Sequence, residues 1–298
     1  MPVPSRDRHL AFKKVYIFHK KMKNSKSPIG IFDSGYGGLT IFDNIRRLLP
    51  EYDYIYLGDN ARTPYGHRSF EIVYQFTRQA VFRLFDEGCP LVILACNTAS
   101  AKALRTIQQC DLPQADDSTR RVLGIIRPTV EVLGSLSRTR HVGILGTMGT
   151  ISSGSYSMEI EKLYPDMIVT GEACPMWVPL VENREFDSDG ADYFVKKNIN
   201  NIFASDSQID TLVLGCTHYP LLEEKIRMFL PEGVNLLAQG PYVAYSLKDY
   251  LFRHPEMSDR LTKNGDCHFL TTESEEKFSE AASLFLNCKI NVEQIVVN

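Results

Sequence analysis

Hydrophobic and polar positions along this chain alternate between two rhythms. Short apolar runs end in small or polar residues, and each hands over to a stretch with apolar positions at helical spacing. The first unit, PIGIFDSGYGGLTIFDNIRRLL from Pro28, predicts a strand, a glycine-rich turn and an amphipathic helix ending near Pro50. YDYIYLGDNARTPYGHRS predicts a second strand and a loop, followed by a helical pattern over residues 69 to 86. LVILACNTAS, Leu91 to Ser100, is the third strand, leading into a helix expected from about Ala99 to Gln109. Polar residues from Asp111 to Arg121 read as a loop. VLGIIRPTVEVL, HVGILGTMGTISSGSY, MIVTGEACPMWVPLVEN and TLVLGCTHYPLL repeat the rhythm, with a helix expected from about Leu221 to Phe229. VNLLAQG, a helix to about Phe252, CHFLTT, SEEKFSEAASLFL and VEQIVVN complete the chain. Strands alternating with helices predict an α/β fold with mainly parallel sheets, whose strands are buried on both faces.

Two strand ends echo each other. The run Thr211 to Gly215 stops at Cys216, Thr217 and His218, and the run Leu91 to Ala95 stops at Cys96, Asn97 and Thr98. Each cysteine is expected where a strand's carboxyl end meets the next helix, which is where open α/β sheets bind ligands. The echo suggests two related halves that bring one thiol each to a shared site.

Composition narrows the class. The 298 residues are 44% hydrophobic, enough for one large or two medium domains with a real core. A net charge of −3 gives no general pull towards nucleic acid or an anionic membrane, and no apolar run approaches the length of a membrane span. Seven cysteines with no CxxC pair argue for free thiols in a reducing compartment, so the cytoplasm is expected. Residues 1–27 stand apart: Arg6, Arg8, Lys13, Lys14, Lys20, Lys21, Lys23 and Lys26 are offset only by Asp7. This basic extension is expected to be flexible and solvated, with Met22 readable as a start position and a nucleic-acid-binding arm as the alternative.

The glycine-rich turn carries Asp33, Ser34, Gly35, Gly37 and Gly38, yet GYGG completes neither GxGxxG nor a P-loop. Asp33 is readable as a helix cap or as a catalytic acid, and Glu182 as a plain surface carboxylate. Pro64, Tyr65 and Gly66 read as a turn, and Thr147 as a helix cap or an anion ligand. A thiolate is the reactive form of cysteine, and a helix N-terminus or a neighbouring cation lowers the thiol pKa from about 8.5, a setting both Cys96 and Cys216 are expected to share. Three readings compete. A zinc site would use Cys96, Cys216 and His218, although CxH fits common ligand spacings poorly. A hydrolase-type nucleophile would use one cysteine with a histidine and leave the second turn unexplained. Two thiols on opposite faces of a carbon acid would remove a proton from one face and return one to the other.

The segments FDSGYGGL, YLGD followed by PYG, ACNTAS, WVPLVE and GCTHYPLL, in this order, resemble glutamate racemase from about residue 28 to the C-terminus. The resemblance implies interconversion of L- and D-glutamate without pyridoxal phosphate or metal, supplying D-glutamate for peptidoglycan. It implies two pseudo-symmetric three-layer α/β domains, residues 28–125 plus 240–298 and residues 126–239, with the site in the cleft between them. Carried over by position, Cys96 and Cys216 are the acid/base thiols, with Asp33 assisting one and His218 the other. Asp59 and Glu182 match further acids counted as catalytic helpers. Asn97, Thr98 and Thr217 would hold the α-carboxylate and ammonium; Ser34, Tyr65, Gly66 and Thr147 would hold the side-chain carboxylate, with Pro64 also counted among the substrate-binding residues. A homodimer is expected, with a cell-wall precursor as a candidate activator and neither membrane nor nucleic acid as partner. Aspartate racemisation, or a regulatory binding role on the same scaffold, are the alternatives. Arg127-Pro128-Thr129 and Ala238-Gln239-Gly240 depart from the family pattern, and neither is expected to touch an acid/base residue.

Overall fold

The protein is described by a computed structural model covering residues 27–286 and 288–297; residues 1–26, and with them almost all of the basic extension, lie outside the described residues. Among the described residues, ten strands form two all-parallel sheets. The first contains β1 (Ile29–Asp33), β2 (Tyr54–Gly58), β3 (Leu91–Leu94), β4 (Arg121–Gly124), β9 (Cys267–Thr271) and β10 (Val292–Gln294), in the order β10-β9-β2-β1-β3-β4. The second contains β5 (His141–Gly146), β6 (Ile168–Ala173), β7 (Thr211–Gly215) and β8 (Asn235–Leu237), in the order β6-β5-β7-β8. The run β2-β1-β3-β4 of the first sheet therefore shares the order of the second, and each cysteine of the echoed pair follows the third strand of its set. This internal repeat accounts for the two similar strand ends.

Alternation along each strand sends successive side chains to opposite faces, and helices cover both. Ile29 and Ile31 of β1 join Tyr54 and Tyr56 of β2 in one core, while Phe32, Ile55 and Leu57 enter the core on the other face. The same alternation carries past the strand ends. Val92, Leu94 and Cys96 share one face of the first sheet, as Leu212, Leu214 and Cys216 share one face of the second. Each thiol is thus the last member of an apolar stripe, which is why both are buried.

Several local expectations need correction. The helix after β3 begins at Asn97, not Ala99, because Cys96 itself is the N-cap: its Sγ accepts the Ala99 N–H at 3.5 Å. That helix ends at Lys102 and continues as Leu104–Thr106 and a wide turn over Ile107–Asp111. After β7 the chain first makes a tight turn over Tyr219–Leu222, with Pro220 inside it, before the helix Glu223–Phe229. Asp33 does not cap the helix Leu39–Leu48, whose N-cap is Gly38; its Oδ2 accepts the Gly35 N–H at 2.9 Å instead.

Candidate functional site

Every residue singled out at a strand end lies on the carboxyl edge of one of the two sheets, and those edges meet. Thr40 donates to the Thr217 carbonyl at 3.1 Å, and the Gly149 N–H donates to the Gly66 carbonyl at 2.7 Å. The Thr98 hydroxyl lies 3.0 Å from that of Thr147 and 3.3 Å from that of Thr150. Gly37 packs so tightly on the opposite turn that a Cβ there would stand 2.5 Å from Thr217 Oγ1 and closer still to His218 Nδ1.

Cys96 is buried at the end of its stripe, and its Sγ lies 3.3 Å from the half-buried Ser34 Oγ. Its thiol is pushed up to about 12, first by burial and then by the Asp33 carboxylate. The expectation of a lowered thiol pKa does not hold for Cys96: desolvation outweighs a short helix N-terminus. Asp33 is buried too. Burial raises its pKa, opposed by the charge of His218 and by the backbone N–H groups of Gly38 and Gly35 at the carboxylate.

Cys216 has a different retinue. Its Sγ lies 3.8 Å from His218 Nδ1, and His218 Nε2 lies 3.0 Å from Glu182 Oε1. Burial alone would disfavour an imidazolium, but the hydrogen bonds and charges of Cys216 and Glu182 outweigh it and raise the His218 pKa to about 10. The plain surface reading of Glu182 is corrected: it closes a Cys216–His218–Glu182 chain. A second layer fixes that chain. Trp177 opens the helix Trp177–Glu182 and meets Tyr219 at 4.8 Å between ring centroids, and the Tyr219 hydroxyl donates to the Cys174 carbonyl at 3.1 Å. WVPLVE and HYP are thus two sides of one contact that sets Glu182 against His218.

Asp59, counted among the catalytic acids, is placed otherwise. Both carboxylate oxygens are taken, by Arg62 Nε at 2.7 and 3.0 Å, by the Thr272 hydroxyl at 2.9 Å and by the Tyr65 hydroxyl. A carboxylate so occupied braces the loop carrying Pro64, Tyr65 and Gly66 and has little acceptor capacity left. Within that loop the Thr63-Pro64 bond is cis, Pro64 is exposed, Tyr65 is buried and Gly66 is half-buried against Thr147. Thr147 caps the helix Met148–Ser152, the first of its two readings, and its hydroxyl also reaches that of Thr98.

Asn97 is more engaged than expected. Its Nδ2 donates to Gln239 Oε1 at 2.6 Å and its Oδ1 accepts from Tyr156 at 2.8 Å. Gln239 in turn donates to Thr129 Oγ1 at 2.7 Å. The two segments that depart from the family pattern therefore touch each other and, through Asn97, the residue after Cys96. Thr129, Tyr156 and Gln239 carry no local signature in the sequence, since only the fold brings them together. Among the described residues no three His, Cys, Asp or Glu side chains are grouped to hold a metal ion. No helix among them is long and apolar enough to cross a membrane.

A thiol at the end of each sheet, each with separate polar partners, is an arrangement able to exchange protons with both faces of one carbon. Comparison with known proteins identifies the family. The family model for Asp/Glu/hydantoin racemase matches residues 29–239. A glutamate racemase of Ruegeria sp. (strain TM1040) is 38% identical over 275 residues, spanning 89% of this chain and 98% of its own. The crystal structure of a glutamate racemase isoform from Bacillus anthracis aligns with a TM-score of 0.82 at 34% identity, covering 92% of this chain and 98% of that one. That of the Escherichia coli glutamate racemase, in complex with L-glutamate and the activator UDP-MurNAc-ala, aligns with a TM-score of 0.73 at 26% identity, covering 92% and 100%. With the family model spanning most of the sequence and such relatives covering nearly its whole length, the chain belongs to the Asp/Glu/hydantoin racemase family, as an isomerase of the glutamate racemase group.

Proposed function

We propose that the protein interconverts L- and D-glutamate by a two-base mechanism in which Cys96 and Cys216 face opposite sides of the substrate's α-carbon. The observation that carries this reading is the pair of buried thiols that follow β3 and β7, corresponding strands of the four-strand order that the two sheets share. In one direction a thiolate takes the α-proton: a sulfur lone pair forms the S–H bond, the C–H bond breaks and the C–H electron pair remains on the substrate as a carbanion. The opposite thiol then donates its proton to the other face, its S–H bond breaks, a new C–H bond forms and a thiolate is left there. The reverse direction exchanges the roles.

The α-proton is a weak acid, so the carbanion needs donors already aimed at its carboxylate. Asn97, Thr98 and Thr217 are assigned to the α-carboxylate and ammonium, and Ser34, the Pro64-Tyr65-Gly66 loop and Thr147 to the far carboxylate. His218, held as an imidazolium by Glu182, supplies a positive charge beside Cys216 and stabilises an anion formed there. Asp33 is the corresponding acid beside Cys96, its raised pKa suiting it to share a proton.

The remaining assignments belong to the same reading. The two domains are residues 28–125 plus 240–298 and residues 126–239, the enzyme works in the cytoplasm as a homodimer, and its D-glutamate enters peptidoglycan synthesis. A cell-wall precursor is an activator in this reading; the cavity of about 860 Å³ that carries Lys102, Arg105 and Arg127 is lined by Glu131 and Glu159 as well, which pair with the two arginines, so its surface is of mixed charge. The test is incubation with L- or D-glutamate in deuterated water, with and without UDP-MurNAc-ala, following optical rotation and α-proton loss. Inversion with deuterium entering the product, abolished in both Cys96→Ala and Cys216→Ala, is expected. Exchange with aspartate instead, or inversion surviving loss of one thiol, would overturn the assignment.

A further inference from the structure

The chain passes from the first sheet to the second at Ile125 and Ile126, and returns beyond Leu237. Ile125 belongs to a core on the first sheet and Ile126 to one on the second; Leu237 lies in that second core, and Val243 and Ala244 lie in the first. Gln239 stands at the return crossing, as the N-cap of the helix Gly240–Arg253. Its side chain, almost wholly buried, spans both crossings: Nε2 lies 3.4 Å from the Ile125 carbonyl and 2.7 Å from Thr129 Oγ1, whose own hydroxyl donates to the Ile125 carbonyl at 2.7 Å.

The same side chain closes a ring. Asn97 Nδ2 donates to Gln239 Oε1 at 2.6 Å, Gln239 Nε2 donates to the Tyr156 oxygen at 2.9 Å, and the Tyr156 hydroxyl donates to Asn97 Oδ1 at 2.8 Å. All three residues and Thr129 are buried. A ring of this kind has a direction, because a flipped Asn97 amide would set its oxygen against Gln239 Oε1, acceptor to acceptor, and leave the Tyr156 hydroxyl without its acceptor. Each end of that amide keeps a second N–H and a second lone pair beyond its two ring bonds. Asn97 is the first residue of the helix that Cys96 caps, so fixing its amide fixes a donor and an acceptor beside the thiol.

We propose that Gln239 is a positioning residue for Asn97, acting through a buried latch with Thr129 and Tyr156 that also ties the two chain crossings together. This inference rests on the glutamate-racemising reading for its kinetic consequence, but not for the latch itself. An unpartnered amide in this dry interior is costly, so the ring's members hold or release one another as a unit. The sequence departures at Thr129 and Gln239, distant along the chain, are then one feature: a hydroxyl and an amide that require each other.

The experiment compares wild type, Gln239→Met, Asn97→Ala and the double variant, measuring kcat/KM for glutamate and the melting temperature of each. Gln239→Met is expected to lower kcat/KM by about 10- to 100-fold in the wild-type background. In the Asn97→Ala background the same change is expected to lower it by less than about twofold, while its effect on melting persists. A residue that only stabilised the fold would give the same kinetic loss in both backgrounds, and that result overturns the proposal. If Gln239→Met does not fold, Tyr156→Phe, which opens the ring at Asn97 Oδ1, takes its place in the same cycle. A second readout is independent of turnover. The Asn97 side-chain amide resonances, assigned by their loss in Asn97→Ala, are expected to exchange slowly with solvent in wild type and faster once the ring is opened. Unchanged exchange overturns the latch even if wild type is inactive, whereas an inactive wild type with the predicted exchange overturns only the functional reading.

Discussion

Gly37 offers a sharp perturbation of the site, because its missing side chain is what lets the first glycine-rich turn lie against the turn that follows β7. A Cβ built there would stand 2.5 Å from Thr217 Oγ1, 2.7 Å from His218 Cε1 and closer still to His218 Nδ1. Ordinary contacts between such atoms are about 3.5 Å or more, so Gly37→Ala must drive the turns apart by about 1 Å. Neither neighbour is a floppy chain end: His218 is held between Cys216 and Glu182, and the Thr217 carbonyl accepts from Thr40. Overpacking of this kind costs roughly 1–3 kcal/mol of stability, while misplacing a catalytic group by about 1 Å costs on the order of 100-fold in rate. We therefore expect Gly37→Ala to fold, to melt a few degrees lower and to lose about 100-fold in kcat/KM for glutamate. Gly233→Ala is the control: that glycine has φ +84° with no atom within 4 Å of a built Cβ, so alanine there strains only the backbone. It is expected to cost about 1–2 kcal/mol of stability with unchanged kinetics. A Gly37→Ala enzyme within about threefold of wild type would refute the claim that the Cys216–His218–Glu182 geometry limits the rate.

Two further predictions concern titration and the division of labour among the carboxylates. His218 has its pKa raised to about 10 from the ordinary 6.5, so the stability its charge contributes is fully present below about pH 6.5 and is lost as pH rises through about 10. Melting followed from pH 7 to 10 should fall more steeply in wild type than in His218→Gln, with Glu182→Gln between them; parallel curves would show that the imidazolium does not couple to folding. Asp59→Asn should lower the melting temperature, since it disturbs contacts with Arg62, Tyr65 and Thr272, while leaving the pH dependence of kcat in place. A shifted kcat profile in that variant would return Asp59 to the proton-transfer machinery.

The sequence by itself determined the fold class and the ends at which chemistry could sit. Apolar runs such as LVIL and TLVL are legible as strands buried on both faces, and a cysteine followed by polar residues at the end of each marks the carboxyl edge of a parallel sheet. Those signals are local: they depend on the period of side-chain direction and on residues adjacent in the chain. Which groups then act together was settled only in three dimensions. The resemblance of WVPLVE marks Glu182 as a helper, but its partner emerges only where the packing of Trp177 on Tyr219 brings it to His218. Asp59 sits at a strand end as Asp33 does, but Arg62 and Tyr65 occupy its oxygens, while Asp33 is met by the backbone N–H groups of Gly38 and Gly35. A helix N-terminus suggests a lowered thiol pKa for Cys96, yet burial and the Asp33 carboxylate raise it. Thr129, Tyr156 and Gln239 meet Asn97 because the chain crosses twice between its sheets. Hydrogen bonds and desolvation depend on atoms a few ångströms away in space, and residues far apart in sequence become such neighbours only when the two sheets close on each other.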